Sequence, residues 1–165
     1  MIRIATSDDS KAISDIYNYY VLNSHSTFET EPVSVEEMGQ RIERVTREFQ
    51  LPWLVFEIDG KIAGYTYATQ WKPRAAYEKT VETTVYLHQE EFGKGIGSQL
   101  YIGLLEQLEN SGYHAILGGI AQPNEASIAL HEKLGFVKVG QLKEVGLKFN
   151  KWVDVGYWQL IFSEK

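Results

Sequence analysis

A strand pattern that runs into a glycine-rich turn constrains this chain more than any other segment. In Thr80–Leu87 the polar residues alternate with mostly apolar ones, and Phe92-Gly93-Lys94-Gly95-Ile96-Gly97-Ser98 follows shortly after. The next apolar residues have helical spacing, so the turn leads from a strand into a helix. Such a turn can aim several backbone N–H groups at one anion, and the positive end of the helix dipole adds to them. The segment therefore predicts a phosphate or pyrophosphate site.

The hydrophobic pattern of the whole chain predicts alternating layers of helix and strand. Asp59-Gly60 lies between two apolar runs, which is typical of a tight hairpin turn, and Ser34 with Glu37 forms a capping-box pattern at the start of a helix that we expect to reach about Glu48. The predicted order is β-α-α-β-β-β-α-β-α-β-β. This order gives an α+β, or mixed α/β, layer protein, and we expect one domain over residues 1–165.

Composition excludes several classes of function. The net charge of −6 argues against a nucleic-acid partner, because phosphate backbones select basic surfaces. The chain has no cysteine, which excludes a thiol nucleophile and thiolate metal sites, and we expect no metal. No apolar run is long enough for a signal peptide or a membrane span, so we expect a cytoplasmic protein without a membrane partner.

Two common phosphate motifs do not fit the glycine turn. A P-loop needs two glycines separated by four residues and then Lys-Ser or Lys-Thr, whereas Lys94 here precedes Gly95. A dinucleotide fingerprint needs Gly-x-Gly-x-x-Gly, and this chain has Gly-x-Gly-x-Gly without an acidic residue at the end of the next strand. If the turn is considered by itself, a plain strand-to-helix connection without a bound anion remains an alternative interpretation.

A second motif gives the turn a context. After the next predicted strand comes Asn124-Glu125-Ala126-Ser127-Ile128-Ala129-Leu130-His131-Glu132-Lys133-Leu134-Gly135-Phe136. The two motifs in this order resemble the GNAT superfamily of acetyl-CoA-dependent N-acetyltransferases. The resemblance implies a twisted, mostly antiparallel sheet of about seven strands flanked by about four helices, and acetyl-CoA as co-substrate.

The likeness extends to one branch of that superfamily. Ile16-Tyr17-Asn18, the loop from Trp71 to Tyr77 and the tail from Val145 to Leu160 are similar to the phosphinothricin acetyltransferases, which also act on methionine sulfone and sulfoximine. Two positions depart from the branch. Phe92 replaces the usual Gln or Arg of the cradle, and Glu29 stands where herbicide-resistance members tend to have Arg, which puts phosphinothricin itself in doubt as the preferred substrate.

The resemblance implies which residues bind the cofactor. The strand end supplies backbone groups for the thioester, the glycine turn cradles the pyrophosphate, and the second motif lies beside the pantetheine. Asn124 could also serve only as a helix N-cap, and Lys133 only as a solvated residue. The implied cofactor-binding residues are Val85, Tyr86, Leu87, Phe92, Gly93, Lys94, Gly95, Ile96, Gly97, Ser98, Asn124, Ser127 and Lys133.

Acetyl transfer needs a neutral amine, stabilisation of the oxyanion and a proton for the thiolate. Glu82 occupies the position of the branch's base, and it shares a strand face with Thr80 and Thr84. His131 occupies a position where many members of the superfamily have a tyrosine acid and this branch has histidine. A solvated carboxylate and a core histidine are the alternatives. We expect Glu82, directly or through water, and His131 to be catalytic.

An amino-acid substrate also needs a cation for its carboxylate. The Gln70–Glu78 loop carries cations and a phenol within a few residues, and two aromatic residues could wall the pocket. By the resemblance we expect the substrate-binding residues to be Phe28, Trp71, Lys72, Arg74 and Tyr77.

The function predicted from the sequence is direct acetyl transfer from acetyl-CoA to the α-amino group of a small amino acid or analogue. Because the chain has no cysteine, an acetyl-enzyme on a thiol is excluded. The alternatives are acetylation of a protein N-terminus or another amine, and a noncatalytic acyl-CoA sensor. The aromatic tail from Trp152 to Phe162 predicts a buried strand pair that could also form the homodimer interface the resemblance implies.

Overall fold

The computed structural model describes residues 1–163 and shows seven strands and four α-helices in the predicted order. The mixed α/β class is therefore confirmed. The elements are β1 (Ile2–Ile4), α1 (Ser10–Asn23), α2 (Val35–Glu43), β2 (Trp53–Ile58), β3 (Lys61–Gln70), β4 (Thr80–Leu87), α3 (Ile96–Asn110), β5 (Ala115–Ala121), α4 (Glu125–Lys133), β6 (Val137–Lys148) and β7 (Lys151–Ile161).

The second helix ends earlier than the sequence pattern predicts. Ser34 accepts a hydrogen bond from the Glu37 N–H, which confirms the predicted cap, but the regular helix stops at Glu43. A wider turn of π type continues over Arg44–Glu48, where the Thr46 hydroxyl donates to the Ile42 carbonyl. A hydroxyl that bonds back to the preceding turn competes with the backbone ladder and loosens the helix there.

The strands form one sheet in the order β1-β2-β3-β4-β5-β7-β6. Neighbouring strands are antiparallel except for β4 and β5, which are parallel and joined through α3. A parallel pair needs a long crossover, and the helix after the glycine turn provides it. The mostly antiparallel sheet expected from the resemblance is confirmed.

The parallel strands separate soon after they meet. Their pairing covers Thr80–Glu82 and Ala115–Leu117, although β4 continues to Leu87 and β5 to Ala121. Beyond Glu82 the edge of β4 that faces β5 is therefore open, and its backbone polar groups are free to meet a ligand. This opening places a site in the middle of the sheet.

Helices cover the two faces of the sheet. On one face, Tyr17 of α1 packs edge-to-face on Tyr86 of β4. On the other face, Tyr101 of α3 reaches both Thr83 of β4 and His131 of α4. The side of α3 that points to the sheet is fully buried, as its apolar spacing predicts, and comprises Leu100, Tyr101, Leu104 and Leu108.

Two of the three turn glycines have the conformation that makes glycine necessary. Gly93 has φ +75° and Gly95, the N-cap of α3, has φ +76°, so an L side chain would be strained at either position. Gly97 already lies inside α3 with a negative φ. The tight bend is therefore made by two glycines, while Gly97 belongs to the first turn of the helix.

Candidate active site

A cavity of about 740 Å³ opens between the separating strands. Its walls come from the end of β4, the glycine turn, the end of β5, the first turns of α4 and the segment after α1. Because β4 and β5 no longer pair here, side chains from both faces of the sheet can contact the cavity. This geometry suits an elongated ligand inserted between two strands.

The cavity brings together about half of the residues predicted from the sequence. Those in its wall are Glu82, Val85, Tyr86, Leu87, Phe92, Gly93, Asn124, Ser127 and His131. Those outside the wall are Phe28, Trp71, Lys72, Arg74, Tyr77, Lys94, Gly95, Ile96, Gly97, Ser98 and Lys133. Most of the second group lie on the exposed loop after β3 or in the first turn of α3.

Glu82 lies at the point where the strands part, since it is the last residue of β4 that pairs with β5. Glu82 is half-buried, and this burial raises the pKa of its carboxyl group, while the positive charge of Lys72 opposes the rise. A carboxylate with a raised pKa is a stronger base than an ordinary surface carboxylate. The position and the pKa both fit a group that takes a proton from an amine.

Adjacent glycines on β5 make room for the catalytic candidates on opposite faces. A Cβ on Gly118 would lie 2.5 Å from Nε2 of His131, whereas a Cβ on Gly119 would lie 3.4 Å from Oε1 of Glu82. Successive residues of a strand point to opposite faces. Glu82 and His131 therefore approach the cavity from opposite sides of the sheet.

Both ring nitrogens of His131 have hydrogen-bond partners. Nδ1 lies 2.7 Å from the Ser127 carbonyl, which can only accept, so Nδ1 carries the proton. Nε2 of the neutral ring is then an acceptor, and the Tyr101 hydroxyl donates to it over 3.0 Å. Burial lowers the pKa of His131, and the bond to Ser127 only partly offsets this. The ring is thus a neutral, oriented imidazole.

Sequence reasoning missed several residues of the cavity wall, among them Tyr101 and His25. Tyr101 lies on the buried face of α3, and its hydroxyl joins Thr83 (3.2 Å) to His131. His25 also lines the cavity, and its Nε2 lies 3.1 Å from the Pro123 carbonyl. The sequence signal for Tyr101 is a hydroxyl-bearing side chain in the otherwise aliphatic buried face of α3. The sequence around His25 gives no such signal.

The glycine turn and α4 have the features that a pyrophosphate-bearing ligand needs. Gly93 and Gly95 open the N-terminus of a 15-residue helix, and a Cβ on either would meet no atom within 4 Å, so the approach is clear. Asn124 accepts a hydrogen bond from the Ser127 N–H and so caps α4. Lys94 pairs with Glu91 at 2.9 Å. The residues fit coenzyme A, with the backbone as the main anion ligand.

The loop after β3 meets the sheet on the Glu82 side. Trp71 packs edge-to-face on Tyr157 of β7, and Nζ of Lys72 lies 5.1 Å from the centre of the Trp71 ring. Trp71 therefore packs against the sheet, and the exposed Lys72 beside it is near enough to Glu82 for its charge to act on that carboxyl group. Arg74 and Tyr77 are at the surface.

The segment after α1 is held firmly against the sheet. Tyr86 donates to the Ser26 carbonyl over 3.2 Å, and the buried Lys148 donates to the Thr27 carbonyl over 2.8 Å. Phe28 packs so closely on Gly146 that a Cβ there would lie 2.4 Å from the ring. Phe28 is thus a contact to β6, and Ser26 rather than Phe28 faces the cavity.

Glu29 does not face the cavity as a free charge. Arg41 of α2 forms two hydrogen bonds with its carboxylate, at 2.8 and 2.6 Å, and Tyr17 also donates to it. The Arg41 guanidinium lowers the pKa of Glu29. The charge that distinguishes this chain from the herbicide-resistance pattern is therefore neutralised inside the protein.

Comparison with known proteins decides the family. The model of the acetyltransferase (GNAT) domain matches residues 2–156. The chain belongs to this family. It is 42% identical to a phosphinothricin N-acetyltransferase of Streptomyces viridochromogenes, over 98% of the chain and 87% of that protein. It is 34% identical to an L-methionine sulfoximine/L-methionine sulfone acetyltransferase of Salmonella typhimurium, over 99% of the chain and 95% of that protein.

A solved structure shows the same architecture with the cofactor present. A GNAT superfamily phosphinothricin acetyltransferase from Sinorhizobium meliloti in complex with acetyl-CoA superposes with a TM-score of 0.94 and 34% identity, covering 98% of this chain and 87% of that one. The protein is a GNAT-type acyltransferase. The resemblance stated from the sequence motifs is confirmed.

Proposed function

We propose that this protein transfers the acetyl group of acetyl-CoA directly to the α-amino group of a small amino acid or amino-acid analogue of the phosphinothricin, methionine sulfone or methionine sulfoximine type. The observation that carries the proposal is Glu82, a partly desolvated carboxylate at the parting of β4 and β5, with Lys72 as the cation near it. An ammonium and a carboxylate on one small acceptor complement that pair of charges. The named activities of the relatives support the same acceptor class.

Glu82 takes the proton in the proposed reaction. Amines with pKa values of about 8–10 are mostly protonated at neutral pH, so a base must free the nitrogen lone pair. Glu82 takes one proton from the ammonium group, directly or through water, and the freed nitrogen then attacks the thioester carbonyl. As the C–N bond forms and the C–S bond breaks, the nitrogen loses a second proton and the departing thiolate takes one up, so that the products are the amide and the free thiol. The open edge of β4 at Val85–Leu87 offers backbone N–H groups to the carbonyl oxygen as it gains negative charge.

In this proposal His131 acts on the face of the sheet opposite to Glu82. The neutral imidazole accepts a hydrogen bond from the Tyr101 hydroxyl in the cavity wall, and this bond fixes the direction of the O–H group. Burial raises the pKa of Tyr101, so the phenol stays protonated at neutral pH. The departing sulfur then meets oriented O–H and imidazole groups on this face, while the amine arrives from the Glu82 side.

Release of free thiol from acetyl-CoA tests the function. We expect the purified protein to release thiol with methionine sulfone, methionine sulfoximine or phosphinothricin at rates well above those with simple alkylamines. The alternatives are read in the same assay. Acetylation of peptides carrying a free N-terminus, with no activity on amino acids, would move the assignment to protein N-termini. Tight acetyl-CoA binding with no acceptor turned over would indicate a noncatalytic sensor.

The homodimer that we also propose is supported by the outer strand of the sheet. β6 is the last strand, and several of its large apolar side chains are exposed together with Trp152 of β7: Val137, Val139, Leu142, Val145 and Leu147. The register with β7 places Val137 and Leu142 on one face of the sheet and Leu147 with Trp152 on the other, so exposed apolar side chains line both faces of this edge strand. Of the tail residues expected at this interface, Trp158 is buried in the core and Trp152 is 61% exposed. A second copy is the occupant we infer, because a symmetric pair would cover the edge strand of both protomers at once.

Sedimentation velocity checks the homodimer. We expect the wild-type protein to sediment with twice the mass of one chain. Leu147→Glu combined with Trp152→Glu, a cross-strand pair, should yield monomers. Ile102→Glu, which replaces an exposed apolar residue on α3, should leave the dimer intact. A wild-type monomer at micromolar concentration would refute the inferred interface.

No helix of residues 1–163 is both long and apolar enough to cross a bilayer. The cytoplasmic location expected from the sequence stays a prediction.

A further inference from the structure

Tyr157 lies beside Glu82 on the acceptor side of the sheet. It pairs with Gly119 across β5 and β7, and a Cβ on Gly119 would lie 3.2 Å from the Tyr157 ring and 3.4 Å from Oε1 of Glu82. The phenol and the carboxylate therefore converge on the same point above β5. The absence of a side chain at Gly119 is what lets them approach each other.

The Tyr157 ring is also fixed from the loop side. Trp71 packs edge-to-face on it, with the ring centres 5.7 Å apart, and Nζ of Lys72 lies 5.1 Å from the Trp71 ring centre. Two potential ligands of an anion, the phenol and the ammonium group, thus flank one indole ring. Glu82 is the third member of this group, since the charge of Lys72 acts on its carboxyl group.

The Tyr157 hydroxyl has no hydrogen-bond partner among the described residues, and its side chain is half-buried. Burial and the charge of Glu82 raise the pKa of the phenol, so it is a neutral O–H donor at working pH. Other phenols near the cavity are occupied: Tyr20 donates to the Leu87 carbonyl and Tyr86 to the Ser26 carbonyl. Tyr157 therefore differs from them in having a donor to offer.

We propose that Tyr157 binds the acceptor: its hydroxyl donates to the α-carboxylate of the incoming amino acid, next to Lys72, and its ring forms the wall that directs the α-amino group to Glu82. The inference rests on the proposed amino-acid acetyltransferase activity and adds a residue that the sequence motifs did not indicate. A hydrogen bond to a charged group contributes about 1.5–3 kcal/mol. Removing this donor should therefore weaken acceptor binding about tenfold or more.

The test compares Tyr157→Phe and Tyr157→Ala with the wild type and with Tyr19→Phe, which changes an exposed tyrosine of α1. We expect Tyr157→Phe to raise the acceptor KM about tenfold, with the acetyl-CoA KM and the melting temperature unchanged. Tyr157→Ala should raise it further. Tyr19→Phe should behave as the wild type.

A second measurement separates carboxylate binding from a general packing effect. The decarboxylated analogue of the best acceptor, a primary amine with the same side chain and no acceptor group at this position, is used as a competitive inhibitor. Its inhibition constant should be the same for wild type and Tyr157→Phe. An unchanged acceptor KM in Tyr157→Phe, or an equal loss for the amino acid and the decarboxylated amine, would overturn the inference. Wild-type protein that turns over no amino acid would instead refute the proposed function.

Discussion

Glu82→Gln is expected to lower kcat by about 100-fold or more while leaving acetyl-CoA binding unchanged, because general-base catalysis contributes about 10²–10⁴ to rate. Gln keeps the shape of the side chain and removes only the basic oxygen. The deficit should shrink at high pH, where the free amine becomes abundant without help. Steady-state rates from pH 5.5 to 10, with acetyl-CoA affinity from titration calorimetry, measure both effects.

The same substitution should stabilise the fold. Burial raises the pKa of Glu82 above its value in the unfolded chain, so wild-type stability falls as pH rises through the window between the two pKa values. Gln carries no such penalty. We therefore expect Glu82→Gln to melt at a higher temperature than wild type at pH 7–8, with the difference lost below the pKa of the unfolded carboxyl group.

The control for Glu82→Gln is Glu106→Gln, which changes an exposed carboxylate on α3. It should alter neither turnover nor the pH profile. A loss in Glu82→Gln that is the same at every pH would assign Glu82 to positioning rather than to proton transfer. A lower melting temperature at neutral pH would contradict the desolvated environment described for this carboxylate.

Gly118→Ala is expected to damage catalysis more than alanine at Gly119 or Gly140. Its Cβ would lie 2.5 Å from Nε2 and 2.8 Å from Cδ2 of His131, so the imidazole must leave its hydrogen bond with Tyr101. Overpacking of this kind costs about 1–3 kcal/mol. We expect turnover to fall by about 100-fold, with the loss of one of the two groups proposed to act in catalysis. Thermal melting and steady-state kinetics measure the two losses.

Alanine substitutions at two other glycines serve as references for Gly118→Ala. Gly140→Ala, on β6, places its Cβ more than 4 Å from any neighbour and should be close to neutral. Gly119→Ala meets Tyr157 at 3.2 Å, so a small shift of that ring relieves it, and we expect an intermediate effect on the acceptor KM. Equal behaviour of all three variants would show that the space at Gly118 has no special role in orienting His131.

The order of elements was predictable because each has a local signal. The Asp59-Gly60 hairpin turn is realised with positive φ at both residues, and Ser34 caps the second helix as its spacing indicates. The separation of β4 from β5 has no such signal, because it depends on which residues pair across 30 or more positions of sequence. The opposite placement of Glu82 and His131 follows from that pairing.

The predicted site was incomplete for a related reason. Motifs along the chain identify residues that a family shares, whereas Tyr101, His25 and Tyr157 enter the site by tertiary contact. Glu29 shows the reverse case, since its effect on the substrate was judged from its charge and position alone. Arg41, twelve residues further on, neutralises that charge within the protein.

The most direct test of the account follows the acetyl group itself. The protein is incubated with acetyl-CoA labelled with ¹³C at the acetyl carbonyl, first alone and then with methionine sulfone, and the products are observed by NMR and mass spectrometry. Direct transfer predicts label in the amide at the α-nitrogen of the amino acid and none bound to the protein. An acetylated protein that passes its label on to the acceptor, or an acceptor that never becomes labelled, would contradict direct transfer at Glu82.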